Sequence, residues 1–395
     1  MPPMISQIFL KRGKAGPTIG RHPWLFSSAV ERIEGKPSLG DEVAIYKAED
    51  EVFLGYGLFN PMSQICARVY SWDESQRLDQ SFWKRQLNRA CDLRKNVLAF
   101  GPQESVRLIF SEADFLSGLT VDRFGDFLSV NFSSAALFTR KAEIIEVLKE
   151  MTAAKGMLIR CDRSVARQEG LEHEDEVVGA LPDAEFSILE NGSQHLISLR
   201  SGQKTGFYLD QKLNRARVME LAKGRRVLDL FSYSGGFSLA SARAGAERVW
   251  AVDSSEPAID LARKSAKLNG FSQVDFFCED VFDFMRAHQQ DRFDLVIVDP
   301  PKLATSRKFK NNALRKYFRI NEEALKLVAP GGCYFTFSCS GQISRDEFFS
   351  MLASAARRAK RDVQILDQVG ASPDHPISTA CPESAYLKGI LARVL

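Results

Sequence analysis

The sequence predicts an α/β fold: a doubly wound parallel sheet in the C-terminal part, preceded by an all-β segment and a compact α+β unit. Three observations carry this. From about residue 191, apolar β-branched and aromatic runs (RVLDLF, RVWAVD, VDFFCED, FDLVIVDPP, CYFTFSCS) alternate with helical segments, the pattern of parallel strands joined by crossover helices. Over the first 72 residues, short apolar runs (ISQIFL, DEVAIY, VFLGYG, QICARVY) are punctuated by Gly, Pro and Asn, with no helical period. Between these parts, the run LDQSFWKRQLNRACDLRKNVLA (78–99) has the spacing of an amphipathic helix.

Further elements follow in order. VRLIF and FLSVNF read as strands separated by the turn DRFGD. A long helix is expected at about 135–153, then the strand GMLIRC. SVARQEGLEHEDE reads as a solvated acidic loop, since spacing alone does not give a carboxylate cluster the geometry of a metal site. QHLISL is a strand. The last runs, VQILDQVG and YLKGILARVL, have no long helix between them and fit an antiparallel pair at the sheet's edge. The expected division is 1–72, 73–190 and 191–395.

Bulk properties narrow the function. A hydrophobic share of 45% and a charged share of 26% fit a globular chain. No apolar run reaches the roughly 18 residues of a membrane span, and the N-terminus lacks a signal-peptide pattern, so no membrane partner is expected. The seven cysteines are scattered without a C-x-x-C pair, and the five histidines show no H-x-x-x-H. A reduced cytoplasmic protein with free thiols and no metal is the expectation.

The net charge is only +3, but the basic residues are clustered. Lys302, Arg307, Lys308, Lys310, Arg315, Lys316 and Arg319 occur without an intervening acid. Arg357, Arg358, Lys360 and Arg361 form a second group; Lys11, Arg12, Lys14 and Arg21 form a third. Each alone reads as solvated surface; together they favour a polyanionic partner.

Acids at strand ends mark a cofactor site. In VLDLFSYSGGFSLA, Asp229 lies on the first strand, and Phe231, Ser232 and Gly235 belong to the Gly-rich turn into a helix. This departs from G-x-G-x-x-G, although its glycines still let a ligand approach the backbone. Asp253, with Ser254 beside it, ends the next strand, where an acid can bind ribose hydroxyls. Glu279-Asp280 ends the third strand, where an acid can accept from an adenine amino group. Asp299 of FDLVIVDPPK ends the fourth.

In that order, these residues resemble the class I S-adenosylmethionine-dependent methyltransferases, with a Rossmann-like sheet. SGQKTGFYLDQ (201–211) matches a signature of the same group. There Lys204, Thr205 and Phe207 would bind the cofactor, a lysine beside an aromatic wall suiting its carboxylate and sulfonium. GRHPWLFSSAV, Gly40-Asp41 and LGYGLFNP resemble a PUA domain, a small RNA-binding β-barrel.

The fourth and fifth strands should be neighbours, so Asp299-Pro300-Pro301-Lys302 and Ser338-Cys339-Ser340 should face one cleft at the carboxyl edge. A thiol at a strand exit, between two hydroxyls and a turn, reads as a nucleophile rather than as core. Added at carbon 6 of a pyrimidine, it makes carbon 5 nucleophilic toward a methyl donor. Cys339 is therefore the expected nucleophile, and Asp299 the residue that hydrogen-bonds the base. Lys302 has two candidate roles, lowering the thiol's pKa or contacting phosphate. Amino-group methylation would favour an aromatic residue after the two prolines, where Lys302 stands. Cys333 and Cys278 read as core; Cys66, Cys91, Cys161 and Cys381 show no partner pattern.

From end to end, through GRHPWLF, SGQKTGFYLDQ, DLFSYSGGF, DPPK, SCS and HPISTACPESAYLKG, the chain resembles the PUA-containing bacterial ribosomal RNA cytosine-5 methyltransferases of the large subunit. The resemblance implies an N-terminal PUA β-barrel, a middle α+β domain and a catalytic domain. It also implies S-adenosylmethionine as cofactor and naked or partly assembled large-subunit (23S) RNA as partner. A homodimer through exposed strand edges is compatible with this. The rival readings are a uracil-5 RNA methyltransferase, a non-catalytic RNA-binding assembly factor and a small-molecule methyltransferase.

Overall fold

The computed structural model describes residues 5–101, 103–161, 167–171, 173–200, 206–304 and 306–395. The chain forms two compact units. The first contains Met1–Ala184, Leu199–Phe207 and Pro373–Ser384; the second contains Glu185–Ser198, Tyr208–Ser372 and Ala385–Leu395. Both are discontinuous, because the segment 373–384 returns to the first unit. There Asp374 accepts the amide of Arg107 (2.9 Å) and its carbonyl accepts from the buried guanidinium of Arg94 (2.6 Å).

The first unit holds two sheets. The N-terminal one has six strands, in the order Trp24–Phe26, Ile65–Ser71, Phe53–Phe59, Glu42–Lys47, Ser6–Leu10, Val30–Glu34. Its inner face is made by Ile8, Leu10, Leu25, Val43, Ile45, Ala67 and Val69, the alternate positions of the apolar runs. The second sheet has five strands, Glu176–Gly179, Gly156–Cys161, Phe127–Phe132, Leu119–Phe124 and Val106–Phe110. The amphipathic helix is present as Gln80–Asp92. Asp79 caps it by accepting the Phe82 amide, and Phe82, Trp83, Leu87 and Ala90 form its buried stripe.

Two expectations for this unit are corrected. The helix at 135–153 is two helices, Ala135–Phe138 and Lys141–Thr152. Thr139 Oγ1 donates to the Ala136 carbonyl (2.8 Å), a local bond that competes with the helical ladder at the break. The acidic stretch is not wholly solvated either. Glu169 is buried, pairs with Arg68 (3.2 Å) and accepts from Asn60 (3.0 Å) and Ser63 (2.7 Å). A carboxylate surrounded by donors from another part of the chain cannot be told from a loop acid by composition.

The second unit carries a seven-stranded sheet: β1 (Arg226–Leu230), β2 (Arg248–Asp253), β3 (Val274–Cys278), β4 (Phe293–Val298), β5 (Val328–Ser338), β6 (Val363–Val369) and β7 (Lys388–Val394). Its order is β3-β2-β1-β4-β5-β7-β6. The first five strands are parallel; β7 runs antiparallel to β5 and to the edge strand β6, as the missing crossover helix implied. A hairpin, Phe186–Glu190 with Ser193–Ile197, accounts for QHLISL. Arg215 on the helix Lys212–Ala222 grips Glu190 of this hairpin through two bonds, 2.5 and 2.9 Å, inside the unit. Cys333 is buried as expected, but Cys278 is exposed: β3 is an outer strand, and its last residue leaves the layer. Among the described residues no helix is long and apolar enough to cross a membrane.

Replacing Glu169 with Ala is expected to cost about 2–3 kcal/mol, because it leaves the Asn60 and Ser63 donors without their acceptor and the buried Arg68 with Glu112 (3.4 Å) as its remaining carboxylate. Glu174→Ala, at an exposed position of the same stretch, should change stability by less than about 0.5 kcal/mol. Urea midpoints of the two variants check the contrast.

Candidate active site

At the carboxyl edge of the sheet, β1 leads through residues 231–235 into the helix Gly236–Arg243. Phe231 (φ +64°), Tyr233 (φ +49°) and Gly235 (φ +80°) all take left-handed backbone. Only the glycine does so without cost; the two aromatic residues store of order 1–3 kcal/mol each. Bonds on both sides hold the turn. The Ser232 amide donates to the Val252 carbonyl (3.0 Å), the Tyr233 amide to the Asp253 carboxylate (2.9 Å), and the Gly235 amide to the Ser232 carbonyl (2.9 Å). A Cβ at Gly235 would stand 3.0 Å from that of Ala262, so a side chain there would press on the helix Glu256–Asn269 as well as strain the turn.

Among the described residues, three polar atoms at this turn are buried without a partner: Asp229 Oδ1, Ser232 Oγ and Ser234 Oγ. Unsatisfied groups cost free energy unless a ligand or water completes them, so their convergence marks a polar cradle. Asp229 is fully buried, and its other oxygen accepts from Ser238 Oγ at 2.5 Å. Burial pushes its carboxyl up to about 7, and Asp299 and Asp253 add repulsion. Three of the acids expected at strand ends therefore share one neighbourhood. Asp253 holds the turn with one oxygen and accepts the Ser255 amide with the other (2.9 Å). Ser254 is exposed beside it. Asp280 is exposed and caps the helix Val281–Ala287, accepting the amides of Phe282 (2.8 Å) and Asp283 (3.2 Å) through Oδ1. Phe207 is a buried residue of the first unit; Lys204 and Thr205 lie outside the described residues.

The register of β4 on β5 runs Val296 to Tyr334, Ile297 to Phe335 and Val298 to Thr336. It carries the two strand exits to the same place. Cys339 is half-buried, with its sulfur 3.9 Å from the Pro300 carbonyl oxygen. The hydroxyls on either side are structural. Ser340 Oγ accepts the amides of Leu303 (3.2 Å) and Ala304 (3.1 Å) and meets Tyr317 Oη at 3.1 Å, tying the segment after Asp299-Pro300-Pro301 to the thiol strand. Ser338 is fully buried, and its hydroxyl accepts the Ser340 amide (3.4 Å). Asp299 is held from two sides: its amide donates to the Leu230 carbonyl (3.4 Å), and its carboxylate accepts from Gln211 Nε2 (2.9 Å).

Gln211 went unassigned in the sequence, although it closes the SGQKTGFYLDQ segment. Asn214 donates to its carbonyl (2.6 Å) and so turns its amide nitrogen toward Asp299. Asp210 of the same segment accepts from Tyr386 Oη. Tyr208 is raised by burial first, then by Tyr233, Asp299 and Cys339; burial and Cys339 together bring Tyr317 to about 12. Both phenols therefore keep their protons at neutral pH.

The basic residues divide. Arg315, Lys316 and Arg319 are exposed on the helix Lys310–Lys326, and Lys302 is exposed on the loop before it. Lys310 is paired with Glu347 (2.6 Å). Arg361 is not part of a solvated cluster: it donates to the carbonyls of Val328 (2.8 Å), Leu325 (3.2 Å) and Leu395 (3.1 Å). In the first unit, ligand-type atoms of His22, Cys381 and Glu383 lie within 4.8 Å of one another. The Trp24 amide donates to His22 Nδ1 (3.2 Å), which puts the proton of the neutral ring on Nε2, facing Glu383 (3.4 Å). A protonated nitrogen there makes a hydrogen bond, not a metal bond.

The sequence profile of S-adenosylmethionine-dependent methyltransferases matches residues 119–393, and that of PUA-like domains matches residues 8–72. The chain belongs to the S-adenosylmethionine-dependent methyltransferase family. Its relatives include the ribosomal RNA large subunit methyltransferase I of Pseudoalteromonas translucida, 39% identical across 99% of this chain and all of that one. The protein of the same name from Aeromonas salmonicida is 40% identical, covering 98% of each chain. Among solved structures, a candidate methyltransferase in complex with SAH superimposes with a TM-score of 0.85 at 21% identity, over 99% of this chain and all of that one. This last likeness is one of fold.

The methyltransferase's cofactor is S-adenosylmethionine, and the cradle fits it. The unpartnered oxygens of Asp229, Ser232 and Ser234 await donors and acceptors, while the acids Asp229, Asp253 and Asp299 suit a ligand bearing cationic and hydroxyl groups.

Asp229 has a folded pKa above its unfolded one. The stability it confers is complete below about pH 4, falls progressively as the pH rises and is lost once the pH has passed about 7. Asp229→Asn is therefore expected to raise the melting temperature of the cofactor-free enzyme at pH 8 by several degrees and at pH 5 by less than half as much. Calorimetric scans at the two pH values check this.

Proposed function

We propose that this methyltransferase forms 5-methylcytosine in large-subunit ribosomal RNA, with Cys339 as a covalent nucleophile. The observation that carries the reading is the half-buried Cys339 sulfur beside the Asp299-Pro300 strand exit, at the edge that also holds the cofactor cradle. The names of the relatives support ribosomal RNA of the large subunit as the substrate. The PUA-like domain and the exposed Arg315, Lys316 and Arg319 suit an RNA backbone.

The chemistry explains the thiol. Carbon 5 of cytosine is a poor nucleophile. The Cys339 thiolate adds to carbon 6, a C–S bond forms, and the electron pair of the 5,6 double bond becomes available at carbon 5. S-adenosylmethionine, when bound, supplies an electrophilic methyl group. After transfer, carbon 5 gives up its proton, the electron pair re-forms the double bond, and the thiolate leaves carbon 6. Asp299, oriented by Gln211, hydrogen-bonds the base edge, and in its protonated form donates to N3. A base that must reach a cleft at the sheet edge is taken from a single-stranded or locally opened RNA. Lys302, exposed at the rim, contacts phosphate.

Cys339→Ala is expected to lower turnover by at least about 1,000-fold while S-adenosylmethionine affinity, read by titration calorimetry, stays within about three-fold. Equal loss of both would contradict a chemical role for the thiol. Mass mapping of ribosomal RNA from cells lacking the protein should show one 5-methylcytosine missing from the large subunit; a missing 5-methyluridine would assign uracil instead. Replacing Arg315, Lys316 and Arg319 together with Ala should reduce the salt dependence of RNA binding by about two to three in slope. An unchanged slope would place the RNA elsewhere.

A further inference from the structure

Lys388, in the YLKG run, reads in the sequence as one polar residue of a strand. The structure buries it to 3% exposure, in register opposite Ser338 on the antiparallel β5–β7 pair. Its ammonium donates to the Ser340 carbonyl at 2.7 Å and to the Ile343 carbonyl at 2.8 Å. These two carbonyls bracket the turn that follows Cys339, which the Ile343 amide also closes onto the Ser340 carbonyl (3.0 Å). The next residue, Gly389, lets this happen: a Cβ there would collide with Phe337 and Val369, both at 2.6 Å.

Arg345, Glu347 and Cys339 act on Lys388, and Cys339 acts on Tyr208 and Tyr317. Glu347 is committed to Lys310 and to the Ser344 amide (2.9 Å), where it completes a capping box, and Arg345 reaches the Val369 carbonyl (3.4 Å). Asp299, at the neighbouring strand exit, acts on Tyr208 as Cys339 does. Lys302, for which lowering the thiol's pKa is one of two candidate roles, is exposed on the loop, whereas Lys388 is buried.

We infer that Lys388 is a positioning residue for Cys339: its ammonium fixes the Ser340–Ile343 turn behind the sulfur and supplies the buried positive charge that favours the thiolate. The inference rests on the reading of Cys339 as nucleophile. Burial lowers Lys388 to about 8, so it remains largely cationic at neutral pH, and the thiolate in turn favours its charged form.

The test reads the thiol without RNA or cofactor. The full chain is alkylated with iodoacetamide across pH 5.5–10, and modification of each cysteine is followed by peptide mass spectrometry. In Lys388→Met, the apparent pKa of Cys339 is expected to rise by about one unit, and its alkylation at pH 7 to slow about ten-fold. Exposed Cys278 should behave the same in both proteins. A folded Lys388→Met variant whose Cys339 profile superimposes on the parent would overturn the inference. Should that variant not fold, Lys388→Arg decides: it keeps the charge and should stay within about two-fold of the parent, and a ten-fold loss would count against the inference. The nucleophile reading fails separately, if Cys339→Ala still methylates RNA.

Discussion

Everything proposed for this enzyme depends on how β4 and β5 end. Parallel pairing brings the two strands to the sheet edge side by side, but pairing alone stops at Val298 and Thr336. Beyond that point β5 stays paired with β7 as far as Ser338, and side-chain bonds join the two exits: Ser340 Oγ accepts two amides of the Leu303-Ala304 segment, while Gln211 holds the Asp299 carboxylate. The question raised by a thiol between two hydroxyls has a physical answer. The serines build the bracket, and the cysteine is the one side chain of the three left half-buried. A hydroxyl can accept two amides where a larger side chain would push the loop away.

The cofactor end of the site follows a different logic. The turn after β1 keeps two aromatic residues in left-handed backbone and three buried oxygens without partners. Both features cost stability, and both are tolerated because the surrounding strands over-determine the turn. Such a site is shaped in advance for its ligand, so less ordering remains to be done when the cofactor binds. The raised Asp229 carboxyl belongs to the same economy: an acid is kept in an apolar layer where only a ligand or a proton makes it comfortable.

Much of this was legible in the sequence. Apolar runs ending in acids marked the strands that carry Asp229, Asp253 and Asp299, and the absence of a crossover helix pointed to the antiparallel β6–β7 edge. What was not legible depends on contacts between distant residues. Gln211 meets Asp299 across 88 positions and Lys388 meets Ser340 across 48. Neither has a local period. Glu169 and Arg361 looked like surface charge, yet each is claimed by donors or carbonyls elsewhere in its own unit. Cys278 was misread because an apolar run looks the same in an outer strand as in a central one.

The central claim is that the Cys339 sulfur bonds to a cytosine. The most direct measurement uses a large-subunit RNA fragment bearing 5-fluorocytidine, incubated with enzyme and S-adenosylmethionine. Fluorine at carbon 5 cannot leave as a proton, so elimination of the thiol is blocked after methyl transfer. The account predicts a denaturation-resistant adduct whose cross-linked peptide contains Cys339. An adduct on 5-fluorouridine RNA alone, or a cross-link to any other cysteine, would contradict it.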